Sequence, residues 1–94
     1  MSEKIEINAQ NFELTDAIRD MATAKFKRLF EHNKDILNVH ITLSVEHIHH
    51  VGKALIHIPG TELHAHFSSK DMYKTIDGLA HKLDAQLQKH KGQH

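Results

Sequence analysis

Asp71-Met72-Tyr73-Lys74-Thr75-Ile76-Asp77-Gly78-Leu79-Ala80-His81-Lys82-Leu83-Asp84-Ala85-Gln86-Leu87 holds the most information in this chain. Met72, Ile76, Leu79, Ala80, Leu83 and Leu87 recur at three- and four-residue intervals, the period of an amphipathic helix with a single apolar stripe. At about 100° per residue, Lys74, His81, Lys82 and Lys89 fall along one flank of that stripe. Asp77 and Asp84 fall on the opposite flank. The chain is formally neutral at pH 7, so this helix has sorted charges that the composition as a whole conceals. A basic helix edge suits a polyanionic partner.

An amphipathic helix needs a surface to pack on, and the upstream sequence supplies one. Lys4-Ile5-Glu6-Ile7-Asn8 alternates polar and apolar residues like a half-buried strand. Thr15 is placed to cap a helix, with Asp16 in its first turn. Ile18, Met21, Ala22, Lys25, Phe26 and Leu29 follow at helical spacing, interrupted only by Lys25. Lys25, Arg28 and His32 share one flank of this helix, and Asp16, Asp20 and Glu31 lie toward its outer side. Val39, Ile41, Leu43 and Val45 then alternate with polar residues as a second strand. His47 to His50 reads as a loop or strand end. Ala54, Ile56 and Ile58 form the inward set of a third strand, and Leu63, Ala65 and Phe67 that of a fourth. Pro59-Gly60 suits a two-residue turn, which pairs Ile58 with Thr61, Ile56 with Leu63 and Ala54 with Ala65 and puts all the apolar residues on one face. Ser68 and Asp71 have capping-box spacing and are expected to open the last helix.

The order strand, helix, strand, strand, strand, helix predicts an α+β fold: a single βαβββα domain with a four-stranded mixed sheet. The first crossover is long enough to make its two strands parallel, and the other strand connections are hairpins. Each strand has one apolar face, so both helices are expected on the same face of the sheet. The domain is expected to span residues 1–94, with a disordered tail from about residue 91.

Composition narrows the function. A chain of 94 residues buries only about two-thirds of its unfolded surface, leaving little room for an enclosed catalytic cleft. Cysteine is absent, so neither disulfides nor thiolate metal ligands contribute, which fits a reducing cytoplasm. The charged N-terminal alternation reads as neither a signal peptide nor a membrane span. There is no G-x-S-x-G elbow and no glycine-rich phosphate loop. An enzyme, a cofactor, a membrane and a small-molecule substrate are all unexpected. Eleven histidines would make such a chain strongly cationic as pH falls.

Asp71-Met72-Tyr73, Ile76-Asp77-Gly78-Leu79, Lys82-Leu83, Gln86-Leu87 and Lys89-His90-Lys91 together resemble the ribosome hibernation-promoting factor family, also called the ribosome-associated inhibitor or sigma-54 modulation family. Thr15, Ala17-Ile18-Arg19, Lys25, Leu29 and the Pro-Gly hairpin agree with it, so the resemblance covers the whole chain. It implies a βαβββα domain that binds the small ribosomal subunit, through 16S rRNA, in the channel used by messenger and transfer RNA. Such a factor inhibits translation in stress or stationary phase. Only Gly92-Gln93-His94 follow the basic tail, as in the short form, which is associated with inactive ribosome dimers and a second ribosome modulation factor. Ala85 stands where relatives often carry Arg, and Lys74 where a small residue is usual, so the basic edge is shifted along the helix.

Lys25, Arg28, Lys74, Lys82, Lys89 and Lys91 are the candidate phosphate contacts, a role that flexible cations fill without reading sequence. His32, Lys70, Tyr73 and His81 are secondary candidates. The bland reading of each cation is a solvated helix face, and Lys91 can also answer the helix dipole. Tyr73 has two readings, stacking on a base and packing at the helix–sheet border, of which packing is the simpler. Asp71 reads as a first-turn residue, and Asp77 and Asp84 as solvating side chains. His64 and His66 share a strand face with Lys53, Leu55 and His57. Imidazole pairs invite a metal, but Lys53 sits opposite His66 and would repel a cation, so no metal site is expected. His47, His49 and His50 form a second such cluster. A histidine-rich metal-binding protein and a protein–protein adaptor are the rival functions.

Overall fold

The computed structural model describes residues 5–91. Six elements follow in the expected order: β1 (Ile5–Gln10), α1 (Asp16–His32), β2 (Asn38–Glu46), β3 (His49–Ile58), β4 (Thr61–Ser69) and α2 (Met72–Lys91). The sheet order is β1-β2-β3-β4, with β1 parallel to β2 and the remaining neighbours antiparallel. Lys4, read as the first strand residue, lies outside the described residues.

The inward faces are those the alternation predicts. Val39, Ile41 and Leu43 of β2 and Ala54, Ile56 and Ile58 of β3 are buried against Ala22, Phe26 and Leu29 of α1 and Met72, Ile76, Leu79, Leu83 and Leu87 of α2. Ile58 pairs with Thr61, Ile56 with Leu63 and Ala54 with Ala65, and Gly60 takes φ 87° in the turn between them. Thr15 caps α1, its Oγ1 accepting from the Ile18 amide at 3.2 Å.

Two boundaries differ from expectation. The segment after Glu46 is a two-residue turn with His47 at φ 60°, and Glu46 pairs with His49, so His49 and His50 are strand residues. The second difference is the start of α2. Ser68 does not open the helix, because β4 continues through Ser69. Asp71 is the cap rather than a first-turn residue, its Oδ1 accepting from the Tyr73 amide at 2.9 Å. Ser69 supports it by accepting from the Asp71 amide at 3.2 Å and lying 2.7 Å from Thr75 Oγ1. Thr75, which is fully buried, donates in turn to the His50 carbonyl at 2.7 Å, fastening the first turn of α2 to β3. Ser69 points inward and can join this chain of bonds, whereas Ser68 points to the exposed face.

Gly78 sets how closely α2 approaches the sheet. A Cβ built there would meet the Phe67 ring, 2.5 Å from Cζ and 2.7 Å from Cδ2. Glycine in a helix interior costs roughly 1 kcal/mol relative to alanine, and here it admits the aromatic ring of β4.

Candidate nucleic-acid interface

The two helices lie side by side on the sheet, and an open groove of about 260 Å³ runs between them. Lys25, Arg28, Leu29 and His32 line it from α1, and Asp77, Ala80, His81 and Asp84 from α2. Lys25 Nζ lies 2.9 Å from Asp77 Oδ1, an ion pair whose side chains are 35% and 49% exposed. The hydrogen bond from Lys25, reinforced by its charge, holds the Asp77 carboxyl below its ordinary 3.8. Asp77 therefore does more than solvate α2: it joins the helices across a groove that water reaches. Asp84 faces the same groove, and its Oδ1 is hidden from water without a hydrogen-bond partner among the described residues.

The cations of α2 do not form one flank. Lys82 follows His81 by one residue and so points about 100° away. His81 turns to the groove, while Lys82 turns to β4, where Nζ donates to the His66 carbonyl at 3.0 Å and stands 5.8 Å from the Phe67 ring centroid. Gln86 repeats the motif one turn later, donating to the His64 carbonyl at 2.7 Å. These two side chains cover carbonyls of an edge strand, which otherwise invite pairing with another chain. Lys89 lines a shallow depression on the same side with Leu63, Gln86 and His90. Lys74 is exposed, as are Arg28, His32 and Lys70.

Positive charge is thus spread in three places: Arg28 on α1, Lys74 at the start of α2, and Lys82 and Lys89 on the side of α2 that faces β4. Lys25 is the candidate most committed to another group. Tyr73, expected to pack at the helix border, is 46% exposed and presents its ring to solvent. The side chain of Lys91 and the tail Gly92-Gln93-His94 lie outside the described residues.

The outer face of the sheet carries several histidines, with Lys53 among them. Glu6 Oε2 meets His40 Nδ1 at 2.7 Å, Glu62 Oε2 meets His57 Nδ1 at 3.0 Å, and the two imidazoles stand edge to face with centroids 5.9 Å apart. Lys53 pairs with His66 as the register predicted. Among the described residues no group of three or more His, Cys, Asp or Glu side chains is arranged to hold a metal ion. No helix among them is long and apolar enough to cross a membrane.

Fold, charge placement and the α2 signature can be set beside known proteins. Residues 5–94 match the family model described as Sigma 54 modulation protein / S30EA ribosomal protein. The chain belongs to this family. A ribosome hibernation promoting factor of Escherichia coli K12 is 42% identical over 88 residues, covering 94% of this chain and 93% of that one. One from Pseudomonas putida is 40% identical over 88 residues, covering 94% of this chain and 86% of its own. Among solved structures, a ribosomal subunit interface protein from Coxiella burnetii superposes with a TM-score of 0.89 at 32% identity, covering 95% of this chain and 98% of that one. The N-terminal domain of Thermus thermophilus Protein Y shares the fold, with a TM-score of 0.83 at 24% identity, covering 95% of this chain and 99% of its own.

Proposed function

We propose that this protein is a ribosome hibernation factor that docks on the small ribosomal subunit, in the channel used by messenger and transfer RNA, and inhibits translation. It acts without catalysis, by occupying space. The observation that carries this reading is the set of exposed cations on two adjacent helices, Arg28, Lys74, Lys82 and Lys89, backed by a continuous apolar core. Such groups bind phosphates and position a protein on RNA. The sheet beneath them keeps the surface rigid, and a body of 41 × 27 × 17 Å across its Cα atoms is solid enough to exclude other strands. The names of the E. coli and P. putida relatives support hibernation, and the Coxiella neighbour's name supports a place at the subunit interface. A ribosome partner places the protein in the cytoplasm.

Sedimentation through a gradient tests this reading. The protein should travel with small subunits at low salt and be released steeply as salt rises. Absence from every ribosomal fraction at low salt would remove it. A shift of whole ribosomes into heavier particles, with or without a second modulation factor, would extend it to ribosome pairing.

A further inference from the structure

Tyr73 stands in the first turn of α2, 46% exposed, and its amide is engaged by Asp71 Oδ1 at 2.9 Å. Among the described residues its hydroxyl meets no hydrogen-bond partner, and its ring meets neither a second ring nor a cation. Its neighbours set it apart from an ordinary exposed side chain. Lys70 lies three residues before it and Lys74 next to it; both are exposed, and neither forms a hydrogen bond or ion pair among the described residues. The carboxylates close by are engaged, Asp71 as the helix cap and Asp77, one turn along, with Lys25 at 2.9 Å. The β2–β3 turn reaches the same end of the domain, because the Thr75 hydroxyl donates to the His50 carbonyl. It brings exposed His47, Ile48 and His49 there, with Glu46, whose Oε2 accepts from Ser44 Oγ at 3.3 Å.

We propose that Tyr73 is a stacking platform for one unpaired base of ribosomal RNA, with Lys70 and Lys74 on the phosphates that flank it. The inference rests on the RNA-binding reading above and names where that surface meets a base as well as a backbone. A phenol ring offers a flat π-face that any base can cover, so the contact tolerates sequence. The two ammonium groups fix the strand without reading it. The hydroxyl stays in water when the face is covered, as tyrosine does where one end of its ring is dry and the other wet. Duplex RNA is a poor occupant, because its bases are already stacked on one another. An apolar protein surface fits less well too, since it would cover Tyr73 and take Lys70 and Lys74 out of water without acceptors.

Tyr73 is the chain's one tyrosine and tryptophan is absent, so tyrosine emission reports this ring alone. The test titrates the intact protein with single-stranded oligoadenylate, duplex RNA of equal length and inorganic polyphosphate, all at one low salt concentration. Oligoadenylate should quench the emission strongly, duplex RNA weakly, and polyphosphate should bind without quenching. Tyr73→Leu keeps bulk but removes the aromatic face, and should weaken oligoadenylate binding about tenfold, the scale of one base–aromatic stack. Tyr73→Phe should restore most of that loss. Lys74→Gln should lower the salt slope by roughly 0.7. Binding of oligoadenylate without quenching overturns the proposal, as do equal quenching by polyphosphate, equal affinities of wild type and Tyr73→Leu, and no binding at all. Emission that changes with protein concentration alone also overturns it, because it marks contact between copies of the chain. Thermal unfolding checks each variant, and the quenching of wild type decides if Tyr73→Leu fails to fold. Co-sedimentation with small subunits alongside any overturning result would remove this inference alone, whereas absence from ribosomes would remove the broader reading.

Discussion

Replacing Gly78 by alanine tests how α2 is seated. Alanine in a helix interior is favoured over glycine by about 1 kcal/mol, so propensity alone predicts stabilisation. The structure predicts the reverse, because the new methyl group would stand 2.5 Å from Cζ and 2.7 Å from Cδ2 of Phe67. Phe67 is half-buried between Gly78 and the Lys82 ammonium, so its ring moves only by giving up packing. Overpacking of this kind costs about 1–3 kcal/mol. Set against the propensity gain, the net loss is about 1 kcal/mol, or a fall in Tm of about 4–8 °C for a domain of this size. A double-mutant cycle isolates the cause. In a Phe67→Leu background the clash is relieved, and Gly78→Ala should then stabilise by most of the propensity difference. Thermal and urea unfolding of the four proteins supply the coupling, expected at about 1–3 kcal/mol. Stabilisation of the wild type by Gly78→Ala, or equal effects in both backgrounds, would refute the close approach as the reason for glycine.

Lys89→Gln should leave unfolding within about 0.5 kcal/mol of wild type and flatten the salt dependence of ribosome binding by roughly one unit; an unchanged slope would make Lys89 a solvating residue. Lys82→Gln should lower stability by under about 1 kcal/mol, since its bond to the His66 carbonyl is exposed, and denaturant midpoints of the two variants would show whether that contact exists. The depressed carboxyl of Asp77 gives its pair with Lys25 a definite pH range: the stabilisation is present above the ordinary value of 3.8 and disappears as pH falls through the lower folded-state value. Acid titrations of wild type and Asp77→Asn should therefore converge at the acidic end, and a constant difference at every pH would contradict the pair. Exhaustive chelation should leave thermal unfolding and ribosome binding unchanged, whereas a large loss restored by stoichiometric metal would favour the histidine-rich metal protein.

The fold was legible because its signals are local and repeated. Alternation over Val39–Val45 and the Pro59-Gly60 turn give the hairpin register directly, since a slip of one residue would turn Ile56 and Ala65 outward. The start of α2 was less legible, because Ser68 and Ser69 offer the same hydroxyl and only the direction each faces on β4 decides which can join Thr75 and His50. The candidate site was legible as a set of cations and illegible as a surface. Lys25 and Asp77 are 52 residues apart in the chain, and no sequence spacing announces their contact. A single basic flank holding both His81 and Lys82 neglects that adjacent residues on a helix diverge by about 100°. That angle could have separated them in advance. The placing of Asp84 in the groove depends on where α1 packs, which tertiary structure alone supplies.

The central claim is that the protein occupies the channel where messenger and transfer RNA meet the small subunit. It is tested most directly by competition on isolated small subunits, with labelled messenger RNA and an initiator transfer RNA titrated against saturating protein. The account predicts mutual exclusion, with displacement of the RNA by wild type and weaker displacement by Lys89→Gln. A stable complex holding protein, messenger RNA and transfer RNA on one subunit would contradict it.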